Sequence, residues 1–141
     1  GVNSRLDELQ ATFLRVKLAK MDLWNHRRVA IAKYYNQNIN WGSLVKTEQA
    51  VGSASTWHLY VVRSKIRDKL QRFLDSRSIS TVIHYPIPPH LQPAYQSLGF
   101  REGSFPITER IHQEVLSLPI GPHLSMEQAA EVVHAVNQFT A

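Results

Sequence analysis

The sequence predicts an α/β (α+β) domain: a small three-stranded sheet flanked by helices and carried on a long N-terminal spine helix. Three observations predict it. Apolar residues recur every three or four positions across residues 4–39, with no Pro or Gly to interrupt them. Short β-prone runs, WHLYVVR, ISTVIH and EVLSL, alternate with segments of helical period. The chain has 141 residues and is 43% hydrophobic, which suits one domain with its own core.

The elements follow in order. Residues 4–39 read as one long helix, broken at most once. Ser4 with Asp7 suits a capping box. Leu6, Leu9, Phe13 and Val16 form the stripe to be buried, and Trp24, Ala30, Ile31, Tyr34 and Tyr35 continue it. Residues 36–56 are a connector rich in Asn, Gly and Ser. Residues 57–63 read as a central strand, with His58 as a packed sheet residue. Residues 66–77 form an amphipathic helix with Ile66, Leu70, Phe73 and Leu74 inward, and Ser64 can cap it. Residues 79–84 are the second strand. A short helix over 91–98 ends on Gly99, a helix over 106–113 starts on Pro106, and residues 114–118 are the third strand. Ser125 and Gln128 form a capping box for a final helix, whose core face is Met126, Ala129, Ala130, Val133, Val136 and Phe139.

Composition narrows the function. With no Cys, disulfides and Cys-based metal or nucleophile sites are excluded. No apolar run is long enough to span a bilayer, so no membrane role is expected and a cytoplasmic setting is the default. The net charge of +5 raises nucleic acid as a partner. The basic residues fall in two groups, Arg15 to Lys33 and Arg63 to Arg77, both diluted by acids and without interleaved aromatics. Solvated helix faces account for them, and nucleic acid is the less favoured partner. Seven His occur without metal-ligand spacing, so no metal is expected. No G-x-S-x-G elbow and no Gly-rich phosphate loop is present.

One stretch is unusual. Residues 79–99, ISTVIHYPIPPHLQPAYQSLG, pass from a strand into a loop with Pro at 86, 88, 89 and 93. Proline fixes φ and biases its predecessor toward extended backbone, so the loop is stiff. It carries His84, Tyr85, His90 and Tyr95. Stiff loops at strand ends suit ligand binding, although a plain surface connection has the same composition.

Four segments together resemble one family: GVNSRLDELQATFLRVKL, SASTWHLYVVRS, the proline loop, and EVLSLPIGPHLS. Their order and spacing are similar to the C-terminal domain of the DegT/DnrJ/EryC1/StrS aminotransferases. The resemblance implies the small domain of a fold-type I enzyme that uses pyridoxal phosphate to aminate keto sugars carried on nucleotides. It implies that the catalytic lysine belongs to a larger, preceding domain. The expectation is therefore a single domain over 1–141 with the catalytic large domain absent, no catalytic residue of its own, and no pyridoxal phosphate bound to it alone. The six Lys fall on polar faces or in the connector, which suits that expectation. The chain starts at Gly, so a natural start upstream is expected.

The resemblance also assigns residues. The family's G-x-N-x-R turn matches Gly1, Asn3 and Arg5. In a homodimer, Asn3 and Arg5 would approach the neighbouring subunit's cofactor phosphate; a plain helix cap is the alternative for Asn3. His90 is the best match to the loop histidine at the sugar-nucleotide end of the site, with His84 and Tyr85 next. Two other readings stand beside this one: a stand-alone ligand-binding or dimerisation module of the same fold, and a basic nucleic-acid-binding domain.

Overall fold

The computed structural model describes Arg5 and residues 7–140. The spine is two helices, α1 (Glu8–Leu18) and α2 (Met21–Asn38). A tightened turn separates them, in which the Lys20 N–H donates to Lys17 O at 2.9 Å. The cap of α1 is Asp7, whose side chain accepts from the Leu9 N–H at 2.8 Å. That corrects the Ser4–Asp7 box, since Asp7 itself holds the cap position; Ser4 and Leu6 lie outside the described residues. The buried stripe expected on α1 is also corrected. This helix buries none of its residues, and Leu9, Phe13 and Val16 are 62% to 67% exposed. Among the described residues, none covers them. Helix α2 behaves differently and buries Ile31, Ala32 and Tyr35.

The sheet has three antiparallel strands in the order β1 (Val45–Lys46), β2 (Tyr60–Arg63), β3 (Val115–Leu118). Tyr60 faces Leu118 and Arg63 faces Val115. With every pairing antiparallel, the fold is α+β rather than a parallel α/β unit. The strand count is as expected, but its membership differs. Residues 79–84 contribute a single bridge, Val82 to Ser117, because the prolines that follow cannot donate to a ladder. The third strand is β1, two exposed residues within the connector. The run at 57–63 becomes extended only from Tyr60. Trp57 has a φ of 50°, which no pleated strand accommodates. His58 is consequently exposed and outside the sheet, not packed within it.

The core fills the space between the sheet and the helices. Leu70 and Leu74 come from α3 (Arg67–Asp75), and Val62, Leu116 and Leu118 from the sheet. Ala129, Val132, Val133, Ala135 and Val136 come from α5 (Met126–Gln138). Both bonds of the Ser125–Gln128 capping box form. Met126, expected inward, is 44% exposed, because the buried face of α5 begins only at Ala129, about one turn further on. Asn137 ties the end of α2 to α5, accepting from the Asn40 N–H at 2.7 Å and donating to Asn38 O at 2.9 Å. The Tyr35 hydroxyl donates to Pro119 O at 2.8 Å, and Tyr60 donates to Asn36 Oδ1 at 2.8 Å. Burial pushes both phenols well above the ordinary tyrosine range.

Between the Val82 bridge and β3, the chain forms the proline loop, two short 3₁₀ turns (Pro89–Leu91 and Pro93–Leu98) and α4 (Pro106–Glu114). The helix expected over 91–98 is therefore a 3₁₀ turn, with Pro89 and Pro93 at the turn starts. Gly99 closes it at a φ of 74°. Pro106 opens α4 as expected.

Candidate functional site

The proline loop leaves the sheet at Val82 and is pinned by side chains. His84 Nδ1 lies 2.9 Å from the hydroxyl of Ser117, a buried polar residue of β3. The next residue, Tyr85, is 65% exposed, and its ring stands edge-on to His84 at 5.5 Å. The Tyr85 carbonyl accepts from His112 Nδ1 at 2.6 Å. Pro88 is buried. His90 Nε2 lies 3.0 Å from Glu109 Oε1, and both side chains are nearly enclosed, at 8% and 11% exposure.

Glu109 holds more than His90. Its two carboxylate oxygens accept from the Gly103 N–H at 3.0 and 2.9 Å, and Oε1 also accepts from the Phe105 N–H at 3.1 Å. The Gly103 bond, then the Phe105 bond, holds the carboxyl below the usual carboxylate range. Phe105 packs edge-on against both His90 and Phe100, with ring centres 4.9 and 5.0 Å apart. Gly103 has a φ of 87°, so the turn that presents this N–H needs glycine.

His84, Tyr85 and His90 thus share one loop, but each has its own anchor. His84 is held by Ser117 and His90 by Glu109, and among the described residues no group of three metal-capable side chains forms. Asn3 lies outside the described residues, and Arg5 is exposed at the start of the chain. All six lysines are exposed. Sequence reasoning missed Glu109, His112 and Ser117. The available signal for Glu109 was an acid one turn inside a helix opened by Pro, where free N–H groups gather. Its pairing with His90, nineteen residues away, has no local signature.

Two other surfaces bear on function. A groove of about 760 Å³ runs along α1 and the start of α2, floored by Leu14, Leu18, Met21 and Trp24 and closed by Thr56 and His58. Three of the six members of the second basic group are engaged within the fold. Arg63 pairs with Glu114 at 2.6 Å, Arg67 donates to Val115 O at 3.2 Å and pairs with Asp68, and Arg77 lies 3.7 Å over the Phe73 ring.

Comparison with known proteins covers the whole of this framework. The family model described as the DegT/DnrJ/EryC1/StrS aminotransferase family matches residues 1–137. The chain is 50% identical over 134 residues to the erythromycin biosynthesis sensory transduction protein EryC1 of Saccharopolyspora erythraea, covering 94% of this chain and 37% of that protein. It is 49% identical to the dTDP-3-amino-3,6-dideoxy-alpha-D-galactopyranose transaminase of Aneurinibacillus thermoaerophilus, covering 99% of this chain and 38% of the relative. The crystal structure of Streptomyces venezuelae DesV in complex with a ketimine intermediate superposes with a TM-score of 0.94 at 46% identity, over 98% of this chain and 38% of that one. The chain therefore spans less than two fifths of the length of these relatives. It belongs to the DegT/DnrJ/EryC1/StrS aminotransferase family.

Proposed function

We propose that residues 1–141 are the C-terminal domain of a pyridoxal-phosphate-dependent aminotransferase acting on nucleotide-linked keto sugars. The observation that supports this most is the continuous match of residues 1–137 to the family, with the proline loop intact and anchored. Pyridoxal phosphate, when bound, supplies the electron sink for amino transfer. This chain's lysines do not fit the Schiff-base role. That role needs an amine activated by desolvation or a neighbouring cation, and Lys17, Lys20, Lys33, Lys46, Lys65 and Lys69 all stand in water. The Schiff-base lysine is assigned to a larger domain outside these residues.

The part left to this chain is binding and orientation. Tyr85, the most exposed of the three loop side chains, offers a hydroxyl to a sugar hydroxyl or phosphate. His84 and His90 offer imidazole nitrogens from a frame stiffened by four prolines. Asn3 and Arg5 are assigned to the cofactor phosphate of a neighbouring subunit in a homodimer. The exposed apolar face of α1 supports dimerisation through the spine, since a stripe of this size in water carries a free-energy penalty.

Titration of the chain with pyridoxal phosphate, followed by borohydride reduction and peptide mapping, tests the division of labour. The expected result is no stoichiometric covalent adduct. A stable adduct on one of the six lysines would place catalysis within this chain and overturn the proposal.

A further inference from the structure

Prolines stiffen a loop internally but do not set its position on the fold, because they remove backbone donors. The position of residues 85–91 must therefore come from side chains. Helix α4 supplies two of them. Glu109 and His112 are three residues apart and lie one above the other on the helix. His112 reaches Tyr85 O, and Glu109 reaches His90 Nε2. The span between these two points, including Pro86 and Ile87, covers a cavity of about 210 Å³ whose opposite wall includes Glu109 and His112.

The partners fix the protons. A backbone carbonyl only accepts, so His112 carries its hydrogen on Nδ1. An ionised carboxylate only accepts, so His90 carries its hydrogen on Nε2. Helix α4 meets the loop through these polar bonds and through Phe105 at its N-cap, which packs edge-on against His90. Its far end is tied separately to the sheet and to α3, through Arg63–Glu114 and through Arg67 donating to His112 O at 3.4 Å.

We propose that Glu109 and His112 are positioning residues that clamp the proline loop at two points and set where Tyr85 and His90 stand toward the substrate. This rests on the reading of the loop as a wall of the sugar-nucleotide site. It assigns no new contact to the substrate; both residues act through the loop.

The test uses the aminotransferase that carries this chain, with Glu109→Gln, His112→Phe and His112→Asn variants. Glu109→Gln removes the charge that holds Gly103, Phe105 and His90 together. Losing such charge-assisted bonds is expected to speed hydrogen exchange of the Gly103 and Phe105 amides by on the order of tenfold, and to mix the His90 tautomers in ¹⁵N spectra. KM for the nucleotide sugar is expected to rise about tenfold while KM for the amino donor stays within about twofold. His112→Phe leaves the Glu109 bonds intact and releases the Tyr85 end, so it reports even where Glu109→Gln fails to fold. His112→Asn keeps a donor near Nδ1 and is expected to restore most of what His112→Phe loses. Unchanged exchange and tautomers in Glu109→Gln, together with unchanged sugar KM in His112→Phe, overturn the clamp. Faster exchange with an unchanged sugar KM leaves the clamp standing and refutes the loop's role in substrate binding.

Discussion

Val16 on α1 and Val136 on α5 sit in helices whose apolar residues are spaced alike, yet Val16 is 67% exposed and Val136 is 3% exposed. Helix α5 lies against α2 and α3, is capped at its start by the Ser125–Gln128 box, and is tied at its end through Asn137. Helix α1 has a cap and basic residues in its last turn, but no residue it buries. Both are good helices. Apolar spacing shows that a helix has a face to cover and leaves open what covers it. For α5 the cover is this chain. For α1 it is not.

Matched substitutions separate the two helices. Val136→Ala removes two buried methyl groups, so it is expected to lower stability by about 1–3 kcal/mol in urea unfolding. The corresponding Val16→Ala is expected to change it by less than about 0.5 kcal/mol. Phe13→Ser should act on assembly instead. Light scattering at concentrations on the order of tens of micromolar is expected to show a dimer for the parent chain and a larger monomer fraction for the variant. A parent chain that is monomeric there breaks the dimer proposal. A Val16→Ala loss as large as that of Val136→Ala breaks the comparison itself.

The proline loop is a third case, held by polar bonds where α5 is held by burial. Acid should release it first. The Glu109 carboxyl is held below its ordinary range by the Gly103 and Phe105 N–H groups, with His90 adding to it. A depressed carboxylate contributes stability above its unfolded pKa and loses it as pH falls through the lower folded value. The Gly103 and Phe105 amide shifts are therefore expected to titrate together below the usual carboxylate range, while the amides of the buried stretch Val132 to Val136 of α5, away from Glu127 in its first turn, remain unperturbed until the domain unfolds. Loop and core amides moving in a single step would show that the two regions are not separately held.

Much of the fold was legible in the sequence. The capping box of α5 and its apolar face from Ala129 onward, the Pro106 start of α4 and the Leu70 and Leu74 face of α3 each rest on local pattern, and each formed. The misses have a common cause. β1 is two exposed residues with no burial alternation to read, and it pairs because β2 offers it an edge. Residues 79–84 have strand composition, but the chain turns into prolines before more than one bridge can form. At the site, the loop and its histidines were visible, because stiffness and residue type are local. Their anchors were not. Ser117 lies thirty-three residues from His84, and Glu109 is brought to His90 only when the Gly103 turn folds back. His112 had no partner spacing to flag it, since its partner is a backbone carbonyl.

The proline loop is proposed to hold a nucleotide sugar for chemistry performed elsewhere in the enzyme. The most direct test is Tyr85→Ala in the aminotransferase that carries this chain, since Tyr85 is exposed and its removal leaves no cavity in the core. Steady-state kinetics is expected to show KM for the nucleotide sugar rising by on the order of tenfold, with the amino-donor half-reaction unchanged. An unchanged KM for the nucleotide sugar, or an equal loss in both half-reactions, would contradict the account.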